Sequence, residues 1–217
     1  RELVHRLRNA APTDEVQSVV RQYVSERRNF ALPLADRLID SPQVPLAGIA
    51  ATAAQKVLLE ASRVGASCPT ADLIAAVSLT ADYGSPAMQT MLADLVRNEA
   101  GKSGEPSTLY ELMMSGLMNR YTRNRIPFLR PVVEDARSRI GPNVTAYRYC
   151  DSVAYFIGTI TDEFPLLIWS SLPQLAEGQV FSRRWFAENS DQLQLAQRIA
   201  PRMRYGVRQG DGPAEED

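Results

Sequence analysis

Six arginines, Arg123, Arg125, Arg130, Arg137, Arg139 and Arg148, fall in the stretch YTRNRIPFLRPVVEDARSRIGPNVTAYRYCD between Tyr121 and Asp151, against three acids, Glu134, Asp135 and Asp151. A guanidinium is a planar fork of five donors that fits phosphate oxygens in pairs and stacks on flat rings, whereas an ammonium is a strongly hydrated point charge. The chain relies on the former, since Lys56 and Lys102 are the only lysines among its 24 basic residues. Tyr121, Tyr147 and Tyr149 are interleaved with these cations. Single-stranded nucleic acid calls for that mixture: Arg on phosphate, an aromatic or guanidinium plane against a base, and a carboxylate that orients an arginine or accepts from a base or ribose hydroxyl. An arginine-biased composition spread over solvated helix faces gives the same count. On that second reading Tyr147 is core, Arg148 and Tyr149 lie at its edge, and Asp151 pairs with Arg148 or with neighbours at Tyr155.

Reaction chemistry finds few parts. The single histidine, His5, has no partner motif, and HExxH, GxGxxG, P-loop and GxSxG patterns are all missing. Cys68 and Cys150 belong to no CxxC or Cys/His arrangement, which speaks against a zinc site and a disulfide framework. Glu134 and Asp135 read as intrahelical ion-pairing partners of Arg130, Arg137 and Arg139 rather than as an acid dyad. Met113, Met114, Leu117 and Met118 form a stripe that suits core filling, because methionine adapts to irregular gaps. The expectation is a protein that is not an enzyme and needs no cofactor.

The elements that carry these residues read as helices throughout. Thr13 and Asp14 precede an apolar stripe of Val16, Val19, Val20, Tyr23 and Val24, and Pro33 marks a break before a short helix ending near Asp40. An Ala-rich helix is predicted over Leu46 to Val64, another over Ala71 to Tyr83 with Gly84 as a left-handed stop, and a third opened by Ser85-Pro86. Thr108 and Glu111 have capping-box spacing ahead of a helix reaching about Asn124. Pro127 and Pro131 interrupt an Arg-rich helix pair closed by Gly141-Pro142, and Val144 to Phe164 resumes helical periodicity. After Pro165 come a short apolar helix, a loop from Pro173 to Gly178 and an amphipathic segment from Phe181 to Tyr205.

The fold class expected is all-α: a compact multi-helix core over 41–164, an extended N-terminal arm over 1–40, a helical segment over 165–210 and an acidic tail over 211–217. The tail matters for charge. Formal net charge is -1, but Asp211, Glu215, Glu216 and Asp217 lie in the last seven residues, so the body ahead of them is net positive by about three. No apolar run approaches the roughly 20 residues that cross a bilayer, so no membrane partner is expected.

Three pieces of the chain, ADYGSPAMQT at Ala81 to Thr90, YTRNRIPFLRPVV at Tyr121 to Val133 and TAYRYCDS at Thr145 to Ser152, resemble in sequence and order the coat proteins of flexible filamentous plant viruses of the potexvirus, carlavirus and potyvirus type. The resemblance spans Val57 to Phe156, about the middle half of the chain. It implies an all-helical core, an N-terminal arm docking on the adjacent subunit, and a heterologous interface that propagates into a helical filament. It further implies that a serine, an arginine and an aspartate surround one RNA nucleotide, by position Ser85, Arg123 and Asp151. Arg125, Arg130 and Arg148 join them as RNA-binding candidates from their own chemistry. Arg1 to Val24 would be the arm, and Phe164 to Trp169 or Trp185-Phe186 the receiving groove, unless both complete the subunit core. Single-stranded RNA and further copies of the chain are then the partners, in the virion and the host cytoplasm. The rival expectation is an all-helical adaptor or regulator whose Arg-rich face recognises an acidic partner.

Overall fold

The computed structural model describes residues 18, 22–24, 26, 31–38, 47–63, 69–140, 146–161, 172–189, 202–204 and 207–209, and the side chains of most of these. Most of the proposed arm, the segment Phe164 to Trp169, the Gly141-Pro142 closure and the acidic tail lie outside the described residues. The chain divides into two compact units, 1–92 and 93–217, with the division inside the stretch expected to form one core.

In the first unit, α1 (Ala31–Leu38), α2 (Ala47–Ala61) and α3 (Thr70–Tyr83) pack together. Ala50, Ala54, Val57 and Leu58 are buried at helical spacing on α2, where small side chains let the backbones approach closely. α3 is enclosed on nearly all sides, from Ala75 to Asp82 without interruption, which makes it the central helix of this unit. Pro33 sits in the first turn of α1, where its missing amide hydrogen costs nothing. That helix, expected in the arm, instead buries Ala31, Leu32 and Ala35, and Asp36 accepts a 2.8 Å hydrogen bond from the Ser78 hydroxyl of α3.

Gly84 stops α3 for a reason other than the one its type suggested. Its φ of -63° is one that any residue adopts, so no left-handed stop exists there. A Cβ at this position would stand 2.5 Å from the Thr80 carbonyl oxygen, which itself accepts the Gly84 amide at 2.9 Å. The glycine is required for space. Gly104, with φ +87°, is the residue of the next loop that does need left-handed freedom.

α4 (Pro86–Ala100) follows, and the second unit continues with α5 (Thr108–Met118). Ser107, one residue before the predicted capping box, is the true N-cap of α5 and accepts from the Tyr110 amide at 3.1 Å. α5 ends at Met118, short of Asn124, and β1 (Arg120–Tyr121) follows. The expected Arg-rich helix pair is a chain of short turns: a 3-10 turn at Arg123–Arg125, α6 (Ile126–Leu129) and a 3-10 stretch at Arg130–Glu134. Pro127 and Pro131 sit at the heads of the last two, starting each turn rather than breaking it.

β2 (Ser138–Ile140) and β3 (Ala146–Arg148) then pair antiparallel, with Ser138 opposite Arg148. The predicted helix from Val144 therefore begins later, as α7 (Tyr149–Thr161). α8 (Leu172–Asn189) takes in the expected Pro173 to Gly178 loop, because Pro173 lies in its first turn. β4 (Arg202–Arg204) and β5 (Val207–Gln209) pair with each other, and β4 pairs with β1.

The all-α class holds, with strand content confined among the described residues to pairings of two or three residues. The second core is built from Met113, Met114 and Leu117 of α5, Phe128, Leu129 and Val132, Val153, Phe156 and Ile157 of α7, and Phe181, Trp185 and Phe186 of α8. Among the described residues no helix is long and apolar enough to cross a membrane. Gly84→Ala is expected to destabilise the protein by about 1–3 kcal/mol, the usual cost of forcing an extra methyl into a packed site. Urea denaturation measures it, and an unchanged midpoint would show that the Thr80 carbonyl has room to yield.

Candidate nucleic-acid interface

The second of the three resembling pieces leads, and the third belongs, to one corner of the second unit, where β3 turns into α7. A helix start leaves its first amide hydrogens without intrahelical acceptors. Here Tyr149 donates to the Arg137 carbonyl at 3.1 Å and Cys150 donates to the Asp135 carbonyl at 3.0 Å. The irregular segment 135–137 that leads into β2 thus caps the helix that follows β3.

The side chains of the same two residues lock that segment in place. Arg137 meets the Asp135 carboxylate through Nε at 2.8 Å and Nη2 at 2.7 Å, and Nη2 also donates to the Glu99 carbonyl at the end of α4 at 2.8 Å. The Arg137 amide donates to the same carboxylate at 3.0 Å. The guanidinium carbon lies 5.0 Å from the centroid of the Tyr110 ring, which in turn stands 4.7 Å from the Tyr149 ring. Both tyrosines are buried, and burial followed by the Asp135 carboxylate raises the Tyr110 phenol well above its ordinary pKa. The Asp135 bond holds Arg137 above its ordinary value. Glu99 closes the far side: its carboxylate accepts from Ser107 Oγ at 2.6 Å and from Lys102 Nζ.

On the outer side of this corner Arg148 and Asp151 form a second fork. Arg148 Nε donates to Asp151 Oδ2 at 2.9 Å and Nη2 donates to Oδ1 at 2.7 Å. The carboxylate side chain is 1% exposed and the arginine side chain 31% exposed. Asp151 lies in the first turn of α7, where negative charge is favourable. Its bond raises the Arg148 pKa, so the arginine stays a cation with a fixed outer edge. Beside it Cys150 is a buried free thiol, pushed up to about 11 by burial and then by the Asp151 charge, which keeps it in the protonated form.

The residues singled out from sequence are distributed as follows. Ser85 belongs to the first unit and is exposed, and its Oγ accepts from the Met88 amide at 3.4 Å, the helix-cap role its position before Pro86 suggests. The other five belong to the second unit. Arg123 opens the first 3-10 turn, and its side chain lies outside the described residues. Arg125 is a correction: it is wholly buried, and Nη1 donates to the Gly116 and Leu117 carbonyls at 2.6 and 3.0 Å and to Asn119 Oδ1 at 2.6 Å. It satisfies the carbonyls that the C-terminus of α5 leaves open and is not presented to a ligand. Arg130 is exposed. Asp151 is buried beneath Arg148.

Glu134 and Asp135 do not form the intrahelical pairs expected of them. Asp135 takes Arg137 in a turn, and Glu134 takes Arg183 of α8, which holds the Glu134 carboxyl below its ordinary pKa. The interlocked set of buried Glu99, Tyr110 and Tyr149 with half-buried Arg137 is not expected from the sequence. Gly141-Pro142-Asn143-Val144-Thr145 separates Ser138-Arg139-Ile140 from Ala146-Tyr147-Arg148, a short hairpin signal that sets Arg137 and Tyr149 at its two ends but does not announce Glu99 or Tyr110.

Two outcomes follow from the buried fork. Arg137→Met leaves the Asp135 carboxylate buried without its cation, and a loss of about 3–5 kcal/mol is expected by urea denaturation. Arg137→Lys is expected to restore only part, since an ammonium cannot reproduce the fork. Burial acts to raise the Glu99 carboxyl pKa, but the Lys102 and Ser107 bonds and the Lys102 and Arg137 charges together bring it below the ordinary value. Its stabilisation is therefore full above the unfolded carboxylate pKa and is lost as pH falls through the folded one. Glu99→Gln is expected to flatten the acid limb of the stability curve, and a limb unchanged from wild type would dismiss this carboxylate as a contributor. In comparison with known proteins the chain matches no family model, no curated protein and no solved structure.

Proposed function

We propose that this chain is a structural, non-enzymatic protein that coats single-stranded RNA without strong sequence preference and polymerises into a helical filament, after the manner of the coat proteins of flexible filamentous plant viruses. Its places of action are the virion and the cytoplasm of the host. The observation that carries the reading is the Arg148–Asp151 fork, which lies within the third of the three resembling pieces. A guanidinium whose Nε and Nη2 are held by a buried carboxylate keeps one geometry, and its remaining edge suits a phosphate oxygen. Arg130 on the surface, and Arg123 by its position in the second piece, supply further attraction. Phosphate contacts position a nucleic acid without reading its bases, which is what indiscriminate coating requires.

The test is binding of a short fluorescent single-stranded RNA across a salt series. Wild type is expected to lose affinity steeply as salt rises, because each neutralised phosphate releases condensed counterions. Arg148→Ala is expected to weaken binding and to make the slope of log K against log salt shallower by about 0.7, the share of one phosphate on a single strand. Arg125→Ala would cost fold stability without that change in slope. A chain that stays monomeric and binds no single-stranded RNA at low salt would refute the coating role and favour the adaptor that uses its Arg face on an acidic protein.

A further inference from the structure

We infer that the outer stripe of α8, formed by Glu177, Val180 and Arg184, is a contact surface for a second copy of this chain, with two α8 helices crossing antiparallel about a two-fold axis at Val180. The inference goes beyond the coating reading and does not rest on it. α8 is held from its inner side: Phe181, Ser182, Trp185 and Phe186 are buried, Gln179 Nε2 donates to the Val133 carbonyl at 2.9 Å, and Arg183 Nε donates to Glu134 Oε1 at 2.6 Å. These anchors on the 3-10 stretch Arg130–Glu134 fix the rotation of the helix about its own axis. Val180, 62% exposed, is the most exposed of the large apolar side chains among the described residues. Helical geometry sets Glu177 and Arg184 within about 60° of it, on the side turned away from the core. Ala187, also exposed, continues the stripe with a side chain too short to hold an approaching helix away.

The stripe reads acid, apolar, base. Along the axis Glu177 lies about 4.5 Å before Val180 and Arg184 about 6 Å after it. An antiparallel copy crossing at Val180 reverses that order, so each Glu177 meets the other copy's Arg184 and the two valines meet on the axis. A parallel copy would set acid on acid and base on base. Neither charge is firmly committed within its own chain. Glu177 enters no ion pair among the described residues, and Arg184 Nε stands 4.0 Å from Glu188 with both side chains exposed, a pairing that contributes little. A polyanion, whether RNA or an acidic peptide, would be repelled by Glu177 on the same stripe. The pairing is isologous, forms each contact twice and closes at two copies, unlike the heterologous contact that propagates a filament. One helix crossing is a small interface, below about 1,200 Å², so the pair is transient.

The test is disulfide cross-linking of the RNA-free full chain carrying Val180→Cys, oxidised with copper phenanthroline in air and read as dimer on a denaturing gel. The unaltered chain, in which Cys150 is buried, sets the background. A two-fold contact at this residue places it against its own copy, so Val180→Cys is expected to cross-link about tenfold faster than Ser103→Cys, an exposed loop position that reports random collision. Adding Glu177→Arg or Arg184→Glu to Val180→Cys is expected to slow the reaction about tenfold, because each change turns two attractions into two repulsions. Mixed in equal amounts, those two double variants are expected to recover the rate of Val180→Cys, since one then carries two cations on its stripe and the other two anions. Matching thermal melts confirm that every variant folds. Val180→Cys no faster than Ser103→Cys, or a mixture as slow as its components, overturns the pairing and leaves the stripe to solvent or to a different protein. Neither result bears on RNA binding, so the coating reading stands or falls by its own salt series.

Discussion

The fork between Arg137 and Asp135 is the interaction on which the second unit depends. Two buried charges are costly to desolvate, and they become tolerable only when geometry and extra hydrogen bonds satisfy nearly every lone pair and donor. Here Asp135 receives Nε, Nη2 and a backbone amide, and Arg137 adds the Glu99 carbonyl and the Tyr110 ring, while its buried Nη1 has no hydrogen-bond partner among the described residues. Such a pair specifies position more than it adds stability. It ties the C-terminus of α4 to the irregular segment that leads into β2, and the carbonyls of the same two residues then receive the first amides of α7. The place where α7 starts, and hence the place where Arg148 and Asp151 stand, follows from a contact none of whose atoms belongs to the interface.

The Arg-rich stretch thus contains arginines of different kinds, which the sequence writes with the same letter. Arg125 and Arg137 are internal fasteners, one closing the open carbonyls of α5 and the other joining separate elements. Arg148 is half a fastener, held on its inner edge by Asp151 and exposed on its outer one. Arg130 is simply exposed. Guanidinium suits both roles because it carries more donors than one partner can occupy, so burial of part of the fork leaves the rest available. A count of basic residues cannot separate these kinds, and the polyanion signal read from composition is weaker by at least Arg125, which is buried, and Arg137, which is half-buried and committed to Asp135 and Glu99.

What was legible in the sequence follows the range of the forces involved. Ser85 before Pro86 reads correctly as a cap because capping is settled within four residues. The inner stripe of Met113, Met114 and Leu117 reads correctly because helical periodicity is local too. Gly84 was read as a stop for the wrong cause, since its φ is ordinary and the obstacle is the Thr80 carbonyl. The capping box missed by one residue because Ser107, besides capping α5, is recruited by Glu99, eight positions away. The hairpin of β2 and β3 lies where the sequence predicts helix, since three-residue strands offer too few alternations to outweigh neighbouring helical periods. Arg137 to Glu99 spans 38 positions, and no local pattern announces it.

On the coating reading, this division of labour limits how strongly one subunit can hold RNA. The body ahead of the acidic tail is net positive by about three, and part of that charge is internal or already matched, as Arg183 is by Glu134. A few phosphate contacts per chain give an affinity that ordinary salt largely erodes. Encapsidation by such a protein must then draw on contacts between subunits, because linking many weak sites along one strand turns each later binding step into a local one. Weak sites in a repeating array also permit correction, since a misplaced subunit leaves before its neighbours lock it in. The modest charge of this interface is in that sense consistent with the proposed filament, where a lone RNA-binding domain would need a denser basic surface.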